Sequence, residues 1–270
     1  MSPKPRHVHR ESAPADRRAV LERLRARLAC LEALGRGGSA TVALGLPGID
    51  GALPGGGLAR GCLHELCGAP AFGAALGFAA ALLGRLMADG GHVVWIGPRD
   101  ELFGPGLAEL GLTPERLIVV RARPQKARLW ALEEALRSPG LAAALAEVDQ
   151  LSLTQSRRLQ LAAAAKGVTA FLLRSLQAGT TPSAAVTRWR IATASGGPRR
   201  ASGVAHWQID LFRCRGGRTG SWRIACHGDG RHGDGRHGDG WHEVPDSLAL
   251  AAEPADRSAA APRPAPPRRA

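Results

Sequence analysis

Residues 61–76 read GCLHELCGAPAFGAAL, and the fold turns on this stretch. It passes from an apolar segment into Gly68, then four residues to Gly73, then an alanine-rich helical pattern. Strand, glycine-rich turn and helix N-terminus, in that order, form the setting in which backbone N–H groups curl around a phosphate. The next two positions decide the chemistry. A working loop places a lysine on the β- and γ-phosphates and a hydroxyl on Mg²⁺; here Ala74 and Ala75 stand in those places. Losing one charge-assisted contact costs ~1.5–3 kcal/mol. Two such losses weaken binding about a hundredfold or more, since ~1.4 kcal/mol is tenfold. No cofactor is therefore expected, with weak ATP binding at the helix dipole left open.

Outward from this loop, short apolar runs alternate with helical patterns. Strands are expected at 40–43, 62–66, 92–96, 117–120, 143–148 and 168–173, and helices at 72–88, 106–110, 127–136 and 154–165. Apolar strands separated by helices predict an α/β fold, a mostly parallel central sheet flanked by helices. Past residue 186 the pattern changes. Residues 186–194 read as a strand. Trp207, Ile209 and Leu211, then Trp222, Ile224 and Cys226, alternate with other residues on either side of a glycine-rich turn at 216–220. That predicts a C-terminal antiparallel hairpin with one buried face. The expected division is a basic disordered start (1–13), an amphipathic helix (14–35), the core with its hairpin (36–226), an HGDGR repeat (227–242) and a Pro/Ala/Arg-rich disordered tail (243–270).

The chain has 270 residues, 44% of them hydrophobic, enough for a sizeable core. Its net charge of +13 favours nucleic acid or an acidic partner. Only Lys4, Lys126 and Lys166 are lysines, so 33 of the 36 basic residues are arginine, and part of the charge reflects composition. The five cysteines form no CxxC pair, which argues against zinc or a disulfide framework. The longest apolar run, 69–87, contains Arg85. No membrane span or secretory leader is expected, and the chain reads as cytoplasmic. The repeat sets His227, His232, His237 and His242 five residues apart. A surface repeat expansion is favoured over a metal tract, because glycine-rich chain loses much entropy on fixing ligands; no metal is expected.

Leu21, Leu24, Leu28 and Leu31 recur at helical spacing beside Arg17, Arg18, Arg23, Arg25 and Arg27, which suits a helix that docks a partner and equally one packed on its own domain. Trp207 and Trp222 are also docking candidates. Arg188, Arg190, Arg213, Arg215 and Arg218 are interleaved with these tryptophans. Guanidinium groups with aromatic platforms suit single-stranded DNA, although tryptophans alternating along strands equally suit a buried face.

LGLPGIDGALPGGGLARGCLHELCG (44–68) resembles the start of the RecA core. HVVWI (92–96), LFGPGLAELGLTPERLIVV (102–120) and EALRSPGLAAALAEV (134–148) continue the likeness in order. More closely, the chain resembles the ImuA family, RecA-like accessory proteins of bacterial translesion-synthesis cassettes. The pieces that carry this are GLPGIDGALPGGGLARGCLHEL, ELFGPGLAELGLTPERLIVVRA, LWALEEALRS, LTQSRRLQLAAAA, TRWRI and WQIDLFRCRGG. The resemblance implies a RecA-like P-loop fold and a role in SOS-induced, error-prone DNA repair. It implies as partners an ImuB-type Y-family polymerase relative and an error-prone DNA polymerase III α-type subunit, with RecA and DNA as further contacts. It also places Glu147 at the Walker B position and Arg99 near the catalytic glutamate. An arginine stays protonated and cannot serve as a base. With the loop changed as well, a non-catalytic scaffold is expected rather than an enzyme. Two alternatives stand beside it: a divergent DNA-dependent ATPase drawing on Lys126 or Lys166, and a SulA-type cell-division inhibitor.

Overall fold

The computed structural model describes residues 40–69, 73–98, 102–194, 204–227 and 241–244. The expected N-terminal helix with Leu21, Leu24, Leu28 and Leu31, Arg99, most of the HGDGR repeat and most of the tail lie outside the described residues.

A two-stranded ribbon, β1 (Thr41–Val42) with β2 (Leu58–Ala59), brackets the short helix α1 (Pro47–Asp50). The Asp50 carboxylate fixes the approach to α1 by accepting the amides of Leu44, Gly45 and Leu46 at 2.8, 3.0 and 3.2 Å. The main sheet has nine strands: β3 (Leu63–Gly68), β4 (His92–Gly97), β5 (Leu117–Arg121), β6 (Leu141–Glu147), β7 (Thr169–Ser175), β8 (Thr187–Thr193), β9 (Val204–Cys214), β10 (Gly220–His227) and β11 (Trp241–Val244). Their spatial order is β11-β10-β9-β8-β3-β7-β6-β4-β5. From β8 to β5 every pairing is parallel; from β8 to β11 every pairing is antiparallel. This is the α/β, RecA-like arrangement expected from the sequence, with β3 near the middle of the sheet.

The helices are α2 (Gly73–Ala88), α3 (Gly104–Glu109), α4 (Gln125–Arg137) and α5 (Leu153–Lys166). Central strands β3, β4 and β7 are buried almost end to end, as parallel strands covered on both faces must be. On one face α2 packs Phe78, Leu82, Leu83 and Leu86 against Leu66, Leu173, Trp189 and Ile209. On the other, Leu129, Leu132 and Leu136 of α4 and Leu159 and Ala163 of α5 cover Val94, Ala144, Ala170 and Leu172. A reciprocal capping box starts α5: the Ser152 hydroxyl accepts from the Gln155 amide at 3.2 Å, and the Ser152 amide donates to Gln155 Oε1 at 2.9 Å.

The hairpin expected at the C-terminal end is larger than the sequence suggested. The sequence pattern assigns 241–242 to the repeat and 243–244 to the tail, yet 241–244 form β11 and pair with β10. Trp241 is buried against Phe78, with ring centroids 5.6 Å apart, and its indole N–H donates to the Leu44 carbonyl at 3.0 Å. A four-residue strand after a glycine-rich repeat has too little period to be recognised; its burial against α2 is what makes it part of the core.

Candidate functional site

β3 ends at Gly68 and α2 begins at Gly73; residues 70–72 between them lie outside the described residues. Ala74 is buried and Ala75 is fully buried, both among the apolar side chains under α2. At these two positions the first turn of α2 presents methyl groups to the core.

One strand away, across β7, β6 carries Glu147 to the same edge of the sheet. The Trp95 indole N–H donates to Glu147 Oε1 at 3.3 Å, and the Glu147 carbonyl accepts from Arg128 Nε at 2.6 Å. The carboxylate lies close over Gly97, where an added Cβ would come within 2.6 Å of Oε1. Glycine at 97 is thus what makes room for the acid. Asp149, two residues on, stands in no motif that marks it from sequence. Its Oδ1 accepts from the Ser175 amide at 2.9 Å, and its carbonyl accepts from Arg174 Nη2 at 2.7 Å. Both carboxylates at this edge are thus engaged by neighbouring strands.

Beneath the edge lies a buried ionic cluster that no sequence motif announced. Glu65 on β3 is fully buried, and its Oε2 sits 2.8 Å from Arg188 Nε and 3.2 Å from Arg174 Nη1. Ser183 donates to Glu65 Oε1. On the opposite face of β3, His64 is fully buried, with Nε2 2.8 Å from the Ala59 carbonyl and Nδ1 2.7 Å from Thr187 Oγ1. Burial lowers the His64 pKa to about 4. A neutral ring donating from Nε2 and accepting at Nδ1 satisfies both contacts. Cys67 is held as a thiol, its pKa pushed up to about 11 mainly by burial.

Several candidates are redistributed. Arg188 is buried on Glu65 and is not available to DNA, a correction that follows from a carboxylate 123 residues away in sequence. Arg190 is exposed and places its guanidinium 5.4 Å from the Phe212 ring centre. Arg213 and Arg215 donate to the carbonyls of Ser183 and Ala184 at 3.1 and 3.2 Å. With Arg157 of α5 they line a groove of about 550 Å³. Arg218 lies apart, reaching the Gly51 carbonyl at 3.1 Å. The five arginines therefore do not make one patch. Trp207 is likewise corrected: it is buried against α2, where an added Cβ at Gly77 would meet its ring at 2.6 Å. Trp222 is half-buried over Gly48. Lys166 ends α5 and lies at the edge of the sheet opposite the loop; Lys126 lies in a groove between α4 and α5. Among the described residues no helix is long and apolar enough to cross a membrane.

No family model matches the chain. The solved crystal structure of the RadB recombinase superposes with a TM-score of 0.52 at 16% identity, covering 76% of this chain and 100% of that one. This likeness shows the fold. Protein ImuA from two strains of Caulobacter vibrioides is 43% identical over 209 residues, covering 71% of this chain and 86% of theirs. With that identity over most of both sequences, on a RecA-like sheet whose loop ends in Ala74 and Ala75, the chain belongs to the ImuA family.

Proposed function

We propose that this protein is a non-catalytic RecA-like accessory protein of DNA-damage-induced, error-prone DNA synthesis, acting through contacts with other proteins. The observation that carries the reading is the fully buried Ala75. Its position calls for a hydroxyl facing a metal ion, and the methyl instead faces the core. The Glu147–Trp95 hydrogen bond supports it, because the acid that would orient metal or water is tied to an indole. The ImuA resemblance supplies the partners of this reading: an ImuB-type Y-family polymerase relative and an error-prone DNA polymerase III α-type subunit, with RecA as a further contact. The test is ATP binding and turnover by the purified chain, with and without single-stranded DNA and the ImuB-type partner. Stable co-purification with that partner and no DNA-stimulated turnover is expected; micromolar ATP binding with DNA-stimulated hydrolysis would overturn the reading.

Direct DNA contact is a second reading, favoured by the groove that Arg157, Arg213 and Arg215 line together. Guanidinium groups on phosphates give an affinity that falls steeply with salt. Charge reversal at Arg213 and Arg215 is expected to flatten that salt dependence, and an unchanged slope sinks this reading.

A further inference from the structure

Helices α4 and α5 lie side by side on one face of the sheet and leave a groove between them. One end, about 430 Å³, is lined by Lys126, Leu129, Trp130 and Leu159; the other, about 340 Å³, by Arg137, Leu161, Ala162 and Lys166. Glu133 and Arg158 line both ends, and their ion pair at 2.7 Å spans α4 and α5 between the two cavities. Two features set this face apart. Trp130 is 66% exposed and Leu161 70% exposed, although the opposite sides of the same helices are buried. The rim is also cationic. Lys126, Arg137, Arg158 and Lys166 face one lining carboxylate, Glu133, which holds Arg158 at 2.7 Å, while Arg137 is held by Glu134 at 2.7 Å and lies 3.9 Å from Glu133, so Lys126 and Lys166 carry most of the rim's uncompensated charge. Across α5, Arg157, Arg213 and Arg215 extend the positive field.

We propose that this groove docks an acidic amphipathic helix of a partner protein. The proposal rests on the reading that the chain works through protein contacts, and it supplies the chemistry of one such partner. A helix laid in a groove binds through apolar anchors at i, i+3/i+4 and i+7. From Lys126 to Arg137 the groove follows about 16 Å of helix at ~1.5 Å per residue, room for three turns of a partner. Trp130 and Leu161 supply apolar anchoring surface, and the rim cations select glutamate and aspartate on the partner's flanks. The other occupants are disfavoured by charge. The amphipathic N-terminal segment of this chain carries Arg17, Arg18, Arg23, Arg25 and Arg27, and a second copy brings another +13. Nucleic acid would use the cations and Trp130 but leave the exposed Leu161 unused.

The 270-residue chain is titrated with a labelled peptide of about 18 residues, built from glutamate, alanine and leucine with leucines at helical spacing. Parallel titrations use the same composition scrambled, a lysine-for-glutamate version and a thymidine oligonucleotide. Saturable binding of the acidic amphipathic peptide is expected, weakened about tenfold or more by Trp130→Ala and by the pair Lys126→Glu and Lys166→Glu. These side chains lie on the surface, so far-UV circular dichroism and Tm are expected to stay unchanged. No saturation, equal binding of the scrambled peptide, or equal binding by the variants overturns the proposal. So does oligonucleotide binding that Trp130→Ala abolishes, which would assign the groove to nucleic acid. ATP turnover by the same preparation is a separate readout: it would sink the non-catalytic reading and leave the titration standing.

Discussion

Ala75 has no exposed surface and lies within the apolar cluster under α2. Restoring a lysine and a hydroxyl by Ala74→Lys and Ala75→Thr would put a polar group and added volume into that cluster. The expected outcome is a loss of about 1–3 kcal/mol in urea unfolding, with no gain of ATP turnover. Glu65 poses the opposite problem. Glu65→Gln leaves Arg174 and Arg188 buried without their carboxylate, and a loss of about 3–5 kcal/mol is expected in the same measurement. His64 sets a pH dependence. Its folded pKa is about 4 against 6.5 for the free ring, because burial disfavours the charged form. The unfolded chain therefore binds the proton more readily. Stability contributed by the neutral ring is whole above about pH 6.5 and declines as pH falls to about 4, by about 3 kcal/mol in all. His64→Gln is expected to flatten urea midpoints across that window; an unchanged slope would place the pH dependence elsewhere.

Strand β11 closes the antiparallel edge, although its sequence neighbourhood is a repeat. Trp241 packs on Phe78, lies 5.3 Å from the Arg85 guanidinium and bonds the Leu44 carbonyl, so one side chain ties β11, α2 and the segment before α1 together. Trp241→Ala is expected to cost about 3–5 kcal/mol, read as a fall in Tm, whereas Trp130→Ala on the exposed face of α4 is expected to change it little. The contrast shows what sequence conveys about tryptophan. Alternation marked Trp207 and Trp222 as strand residues with one face inward. Which of them would be sealed depended on Gly77 of α2, which lets the Trp207 ring lie against the helix.

At the scale of the molecule, one sheet runs unbroken from β5 through the parallel strands to β11, so the parallel core and the antiparallel edge share a hydrogen-bonded ladder. Far-UV circular dichroism and tryptophan fluorescence are therefore expected to report a single coincident unfolding transition; two midpoints would show the antiparallel edge to be a separate unit. Much of this architecture was legible in advance. The strand–turn–helix of residues 61–76, the alternation of apolar runs and helical periods, and the co-linear ImuA-like segments are local patterns. Local pattern is enough to set secondary structure, sheet class and family. Ala74 and Ala75 were legible for the same reason, since a loop's chemistry is written in adjacent residues. What the sequence left open were pairings between distant segments. Arg188 meets Glu65, Trp207 meets Gly77, Glu147 meets Trp95, and Trp130, Leu161 and four cations share one groove. No period or motif encodes these, because each depends on which strands and helices become neighbours once the chain is packed. The sequence by itself determined the fold and the altered loop, and the tertiary structure decided which arginines and tryptophans face the core and which stay at the surface, because burial depends on which distant segments become neighbours.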